Sequence, residues 1–339
     1  MARQVGVVGA TGLVGRTMLA VLHQRGVGRE RVRAFASERS SGSIVPYGEC
    51  ADGITVELLD APGTSLEPGT ILLGATSSSL ALQWVPRAVA AGALVVDNSS
   101  AYRMDPAVPL VVPEANPEAV AEHHGIIANP NCSTIQLVVA LKPLTGLAGV
   151  EWVAVSTYQA ASGAGQRYLD RLAREQGSAH DGTRPAGHSG PPGADMYFEP
   201  LHENIIPTIA EPEPSGYCLE EIKLMRETSR ILSSSFPVFA SCARVPVRTG
   251  HTESVAICFD REVGREEAAQ ALRSSPGLQV HDHGVPPRVC EGRDEVFVGR
   301  IRTHPLLPRV MQLWITADNL RKGAALNAVQ IAELAGLNE

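Results

Sequence analysis

Short apolar runs without polar alternation punctuate the first 130 residues, and each is followed by a turn signal or a stretch of helical period. Residues 4–8 ("QVGVV") form the first, and apolar positions then recur at helical spacing to about Arg25. "RVRAFAS" (31–37), "TILLGAT" (70–76) and "ALVVDNSS" (93–100) repeat the motif. Runs of this kind read as strands buried on both faces of a parallel sheet. "SSLALQWVPRAVAAG" between the last two reads as a crossover helix. Strand and helix in alternation predict an α/β, doubly wound Rossmann-type domain.

Beyond residue 150 the rhythm changes. Longer strands are predicted at 150–160 and 236–248, with two more in "ESVAICFD" and "RVMQLWITAD", and helices at 163–176 and 218–232. These predict an α+β domain on a mixed or antiparallel sheet. Residues 177–196, rich in Gly, Pro, Ser and His, read as a long loop. The closing "NLRKGAALNAVQIAELAGL" has the spacing of an amphipathic helix. The division that follows is 1–130 plus a C-terminal helix at about 319–339 for one domain, and 131–318 for the other.

Composition narrows the class. The 339 residues are 44% hydrophobic and 19% charged with a formal net charge of −7, so two buried cores are within reach. No basic stripe runs along the chain, which argues against nucleic acid and anionic membranes as partners. No apolar run approaches the roughly 18 residues of a membrane span, and the first strand starts too early to leave room for a signal peptide. Six cysteines stand apart with no CxxC pair, so neither a disulfide scaffold nor a zinc site is expected, and a reducing cytoplasm fits. The "HDH" at 281–283 lacks a third ligand and reads as loop; no metal is expected.

Candidate chemistry begins with "GATGLVG". Gly9, Gly12 and Gly15 lie between the first strand and the first helix, where glycines let backbone amides approach a pyrophosphate. A tight turn without a ligand is the plain alternative. The end of the second strand, "SERSSG", offers Glu38 to a ribose diol and Arg39 to a 2′-phosphate. Arg39 with its neighbouring serines suits a phosphate better, which favours NADP.

Cys132 follows a turn in "NPNCSTIQ" and precedes an apolar helix expected to end near Pro143. With Asn131 as N-cap, Cys132 falls in the first turn, where orphan amides and the helix dipole stabilise a thiolate. A small buried residue is the alternative reading. A thiolate needs a proton acceptor, and His251 after a Thr-Gly turn is the most suggestive histidine, although composition alone reads it as a surface residue. Arg244 is a carboxylate clamp in type; Pro246 and the turn leave its geometry relative to His251 open. Glu220, Lys223 and Glu227 share a helix face that by spacing alone reads as solvated and salt-bridged. Arg103 sits just past a parallel strand's C-terminal end, where ligands bind.

Together these stretches resemble aspartate-β-semialdehyde dehydrogenase. "GATGLVG", "DNSSAYRMDPAVPLVVPEAN", "NPNCSTIQ", "STYQAASGAG", "EEIKLMRET", "RVPVRTGH" and "DNLRKGAALNAVQIAE" occur in the family's order and span nearly the whole chain. The resemblance implies that Cys132 is the acyl-carrying nucleophile and His251 the acid/base, with Gln159 orienting the substrate. It implies that Arg244 clamps the α-carboxylate, Glu220 meets the amine, and Arg103, Lys223 and Asn131 hold inorganic phosphate. Gly9, Thr11, Gly12, Leu13, Val14, Arg39, Ser40, Ser162, Gly163 and Asn319 match contacts to NADP.

The implied reaction interconverts L-aspartate 4-semialdehyde and L-4-aspartyl phosphate through a cysteine thioester. In the biosynthetic direction it consumes NADPH and supplies lysine, threonine and methionine. A homodimer formed through the second domain is also implied. Three rivals remain. N-acetyl-γ-glutamyl-phosphate reductase shares the chemistry, but its substrate has no free amine for Glu220. A catalytically silent relative would not need both Cys132 and His251. A cofactor-free thiol hydrolase leaves the glycine loop and Arg39–Ser40 unexplained.

Overall fold

The structure, a computed structural model, describes residues 3–49, 53–59, 65–180, 200–210 and 212–339. Two compact units result: Met1–Asn131 with Leu320–Glu339, and Cys132–Asn319. The first begins with β1 (Val5–Val8), α1 (Leu13–Gln24), β2 (Val32–Phe35), β3 (Ile44–Val45) and β4 (Ile54–Glu57). β5 (Ile71–Gly74), α2 (Ser78–Ala90), β6 (Leu94–Asp97) and β7 (Ile126–Ala128) follow. Their seven-stranded sheet has the order β3-β4-β2-β1-β5-β6-β7, parallel except for the β3–β4 pair. The chain reverses direction along the sheet after β4, returning to the far side of β1. That reversal puts the β1–α1 turn at a topological switch point, where such sheets bind ligands.

The second unit opens with α3 (Cys132–Thr145), β8 (Val150–Gln159), α4 (Gln166–His180), α5 (Leu219–Ile231), β9 (Val238–Arg244) and β10 (His251–Phe259). α6 (Arg265–Arg273), β11 (Leu278–Val280), α7 (Pro287–Cys290), β12 (Val296–His304) and β13 (Leu307–Ala317) complete it. The six-stranded sheet is mixed, in the order β11-β12-β13-β10-β8-β9, with parallel pairs only at its two ends. α3 is buried along nearly its whole length and packs on β8, β12 and β13.

Several boundaries differ from the sequence reading. α3 passes through Pro143 to Thr145, because burying Leu144 outweighs the one backbone bond that proline gives up. β9 stops at Arg244, since Pro246 cannot join a ladder. The helix expected from 163 starts at Gln166, after Gly165 turns the chain at φ 85°. It runs to His180, into the stretch read as a loop; residues 181–196 of that stretch lie outside the described residues. α6 and β12 were not foreseen.

The C-terminal segment is not one continuous α-helix. A widened π-type turn, Arg321–Ala325, precedes α8 (Leu326–Leu334), with the Ala325 N–H donating to Leu320 O. The turn seats Lys322, whose buried Nζ donates to Glu114, Asn327 and Gln330 at 2.5, 2.8 and 2.8 Å. A buried ammonium is tolerable only with such partners. Asn327 Nδ2 donates in turn to Val111 O and Asn129 Oδ1, which fastens the returning segment to the first unit's core.

Candidate active site

In the second unit, neighbouring strands end in polar side chains that form one row. Gln159 on β8 pairs in register with Arg244 on β9, and His251 on β10 with Ala317 on β13. Thr252 opposite Tyr158 puts His251 next to Gln159 across the β8–β10 pair. Arg244 Nη1 donates to Ala160 O at 2.8 Å and to Gln159 Oε1 at 3.4 Å. Gln159 Nε2 donates to Glu220 Oε1 at 3.3 Å, and Lys223 Nζ reaches Glu220 Oε2 at 3.5 Å. The amide of Gln159 thus has its oxygen toward a cation and its nitrogen toward an anion, which fixes its orientation.

Burial gives these charges weight. Glu220 is 8% exposed, Glu227 1% and Arg244 7%, so the α5 face read as solvated is buried instead. The cause is the packing of α5 on β9. Glu221 reinforces it by accepting from the Cys218 N–H at 2.8 Å and the Cys242 N–H at 3.0 Å, capping the helix and holding it to the strand. Burial lowers the Arg244 pKa, while the charges of Glu220 and then Cys132 raise it, so the sulfur lies within electrostatic reach of the guanidinium. Cys132 is half-buried and is the first residue of α3, a helix with no acid in its first turn. Its surroundings favour a thiolate.

His251 is fully buried, not a surface histidine. Its pKa lies well below the usual histidine value, through burial first and the Arg244 charge second. The Ala160 N–H donates to Nδ1 at 3.0 Å, whereas Nε2 has no hydrogen-bond partner. That pattern assigns the neutral ring's proton to Nε2. A Cβ built on Gly163 would stand 2.8 Å from Arg244 Nη1 and 3.0 Å from His251 Nε2, so this glycine faces both side chains.

The turn carrying Gly163 is held from two sides. Ala161 and Ser162 donate backbone N–H groups to Val247 O and Arg248 O. Asn319 exchanges side-chain hydrogen bonds with Ser162 at 2.9 and 3.1 Å and accepts the Gly250 N–H at 2.9 Å. These bonds lock together the segments flanking His251.

In the first unit, Gly9 (φ 90°) and Ala10 both donate backbone N–H groups to Phe35 O, and the Gly12 N–H donates to Gly9 O. A side chain at Gly15 would strike Gly9 O. Gly12 is exposed and caps α1, whose first turn holds no acid, while Thr11, Leu13 and Val14 are half-buried around it. The loop fits a dinucleotide pyrophosphate: open backbone, a helix N-terminus and no opposing charge. Arg39 is exposed in the 3₁₀ turn Glu38–Ser40 just after β2.

Arg103, 8% exposed, lies beyond β6 and donates from Nε to Asn129 O at 2.9 Å and from Nη2 to Asn98 O at 2.6 Å. Asn131, 7% exposed, is the last residue of this unit before α3.

Two family models match: "Semialdehyde dehydrogenase, NAD binding domain" over residues 4–123 and "Semialdehyde dehydrogenase, dimerisation domain" over 141–322. An aspartate-semialdehyde dehydrogenase of Aquifex aeolicus is 43% identical, the match covering 98% of each chain. The chain belongs to the aspartate-semialdehyde dehydrogenase family. A crystal structure of aspartate semialdehyde dehydrogenase II from Vibrio cholerae, complexed with ASA, superposes with TM-score 0.90 at 38% identity over 98% of both chains. One from Candida albicans, with NADP, superposes with TM-score 0.73 at 26% identity over 100% of this chain and 99% of that one.

The family's dinucleotide-binding domain accordingly corresponds to the first unit's glycine loop and sheet. Two polar residues near the second unit's polar row escaped the sequence reading. Glu253, two positions after His251, and Gln136, four after Cys132, are both fully buried. Their signal was present: the alternation His251, Glu253, Val255, Ile257 puts Glu253 on the apolar side of β10.

Proposed function

We propose that this chain interconverts L-aspartate 4-semialdehyde and L-4-aspartyl phosphate with NADP and inorganic phosphate, carrying the acyl group on Cys132 as a thioester. The observation that carries the proposal is the bonded Arg244–Gln159–Glu220 chain beside a buried neutral His251 and within the field of Cys132. A guanidinium and a carboxylate held apart by one amide suit an amino acid's α-carboxylate and ammonium.

In the oxidative direction the Cys132 thiolate adds to the aldehyde carbon and gives a tetrahedral thiohemiacetal. Nε2–H of His251 donates to the oxygen on which charge develops. A nicotinamide dinucleotide held at the Gly9–Val14 loop would supply the acceptor for the hydride that the thiohemiacetal carbon gives up as the thioester forms. The thioester left on Cys132 is then attacked by phosphate oxygen, which releases the acyl phosphate and returns the thiolate. Lys223 is proposed as a phosphate ligand on the second unit, and Arg103 and Asn131 on the first.

Arg39 and Ser40 are proposed to meet the 2′-phosphate, which favours NADP over NAD. The matched dimerisation domain and half-exposed Phe239 on the second sheet support a homodimer through the Phe239 face.

The test is NADPH formation from L-aspartate 4-semialdehyde, with and without inorganic phosphate, repeated with NAD. Turnover that requires both phosphate and NADP is expected. Turnover without phosphate would refute the acyl-transfer step. Turnover only with the N-acetyl-γ-glutamyl substrate would reassign Glu220.

A further inference from the structure

Beneath the catalytic row lies a second one. Thr157 on β8 pairs in register with Cys242 on β9 and with Glu253 on β10, and Glu253 with Ile315 on β13. Glu253 is fully buried, and neither carboxyl oxygen has a hydrogen-bond partner. Gln136, fully buried on α3, likewise has both side-chain polar atoms without a partner. The two side chains approach each other: the Gln136 amide acts on the carboxyl, though the pair is not aligned as a well-formed hydrogen bond. Burial raises the Glu253 pKa well above the usual carboxylate value, and the amide opposes this only in part.

Four buried polar atoms left without partners on these two side chains are costly. Only one protonation state lets them satisfy each other. A carboxylate accepts only, so it would meet one amide N–H and repel the amide oxygen. A carboxylic acid has one donor and one acceptor, matching a primary amide in a closed ring of two hydrogen bonds.

We propose that Glu253 and Gln136 pair as a carboxylic acid and an amide, and that this pair is a positioning clamp between the helix carrying Cys132 and the strand carrying His251. Gln136 lies one helical turn after Cys132, and Glu253 lies one same-face position after His251. Clamping these neighbours sets the separation of sulfur and imidazole. The inference rests on Cys132 and His251 being the reacting pair. Glu253 touches no reacting atom, so it is a positioning residue.

The test compares E253L, the conservative E253Q and the double variant Q136L/E253L in the full-length protein. E253L leaves the amide unpaired; E253Q restores a closed amide–amide pair; the double variant removes both polar partners. Readouts are kcat with cofactor and phosphate, the pH profile of Cys132 alkylation by iodoacetamide, and the wild-type-minus-E253Q infrared difference spectrum at neutral pH. The expected result is a fall in kcat of about tenfold in E253L, the scale of a sub-ångström misplacement. A shifted alkylation profile should accompany it, and E253Q should rescue both. A protonated-carboxyl C=O band should be present in the wild type and lost in E253Q.

E253L with unchanged kcat and alkylation, whatever its melting temperature, would overturn the clamp, as would failure of E253Q to rescue. A carboxylate band in place of the acid band would overturn the pairing. Should E253L not fold, Q136L/E253L gives the same comparison. Alkylation and infrared need no turnover, so failure on the proposed substrate is distinguishable from failure of the clamp.

Discussion

Gly163→Ala tests the proposed catalytic row with a single methyl group. Gly163 does not have the left-handed backbone that would resist a side chain, so the perturbation is steric. Its new Cβ would lie 2.8 Å from Arg244 Nη1 and 3.0 Å from His251 Nε2, against ordinary contacts of 3.4–4 Å. Both groups must therefore retreat by about half an ångström. Neither can do so freely. His251 is held by the Ala160 N–H, and Arg244 Nη1 by Ala160 O and Gln159. A full ångström of misplacement costs about a hundredfold in rate; half that displacement corresponds to about tenfold in kcat/KM, or ~1.4 kcal/mol of barrier. Overpacking should also cost about 1–3 kcal/mol of stability. The assay is steady-state kinetics at saturating NADP with a parallel cofactor titration and thermal melt. A kcat/KM for the semialdehyde within about twofold of wild type would refute the geometry. A loss confined to NADP affinity would place the effect of Gly163 at the cofactor instead.

Four further expectations use the same assays. Cys132→Ala should abolish turnover while the purified variant still binds NADP, and residual wild-type turnover would remove the nucleophile role. Arg244→Lys keeps the charge but loses the planar fork, so KM for the semialdehyde should rise about tenfold; an unchanged KM would leave the carboxylate clamp unsupported. Arg39→Ala should weaken NADP by about 1.5–3 kcal/mol, a charged hydrogen bond, and NAD far less, with equal losses counting against the 2′-phosphate contact. Because the folded His251 pKa is depressed, the unfolded chain binds the extra proton, and this group's stabilisation, complete above about pH 6.5, is lost as pH falls. His251→Asn should therefore gain on wild type below that pH, by up to ~1.4 kcal/mol per pH unit in denaturant titrations; a flat difference would contradict a buried neutral imidazole.

Much of this was legible in the chain because it follows local rules. Apolar runs marked β1, β5 and β6, and the glycines marked their turn to α1, since a strand buried on both faces and a backbone needing open geometry each leave a compositional trace. Cys132 at the start of α3 was readable from the turn before it. What was not readable depends on pairing across the sheet. His251 looked exposed after Thr249–Gly250, and only the β8–β10 register buries it beside Gln159. The α5 face looked solvated because i, i+3 charges usually are; packing on β9 decides otherwise. Gln136 borders an apolar run and Glu253 sits in the polar stretch His251–Ser254, and nothing local says that the two interact.

The protonation pattern of the second unit has a physical logic. Arg244 and His251 both face Gly163, and loss of solvent first and the Arg244 charge second disfavour an imidazolium. The Ala160 N–H makes the same choice by geometry, because a protonated Nδ1 would place two donors head to head. A thiolate–imidazolium pair, one common way to activate a cysteine, is therefore closed to this arrangement. In the proposed reaction the Cys132 thiolate must draw its stabilisation from the α3 N-terminus and from Arg244, whose field it shares. His251 is left with a neutral Nε2–H, suited to meeting an oxyanion that appears only after the sulfur has attacked. On this proposal the cation that clamps an anionic substrate is the same one that keeps the histidine neutral, so binding, nucleophile activation and the choice of tautomer would depend on one guanidinium.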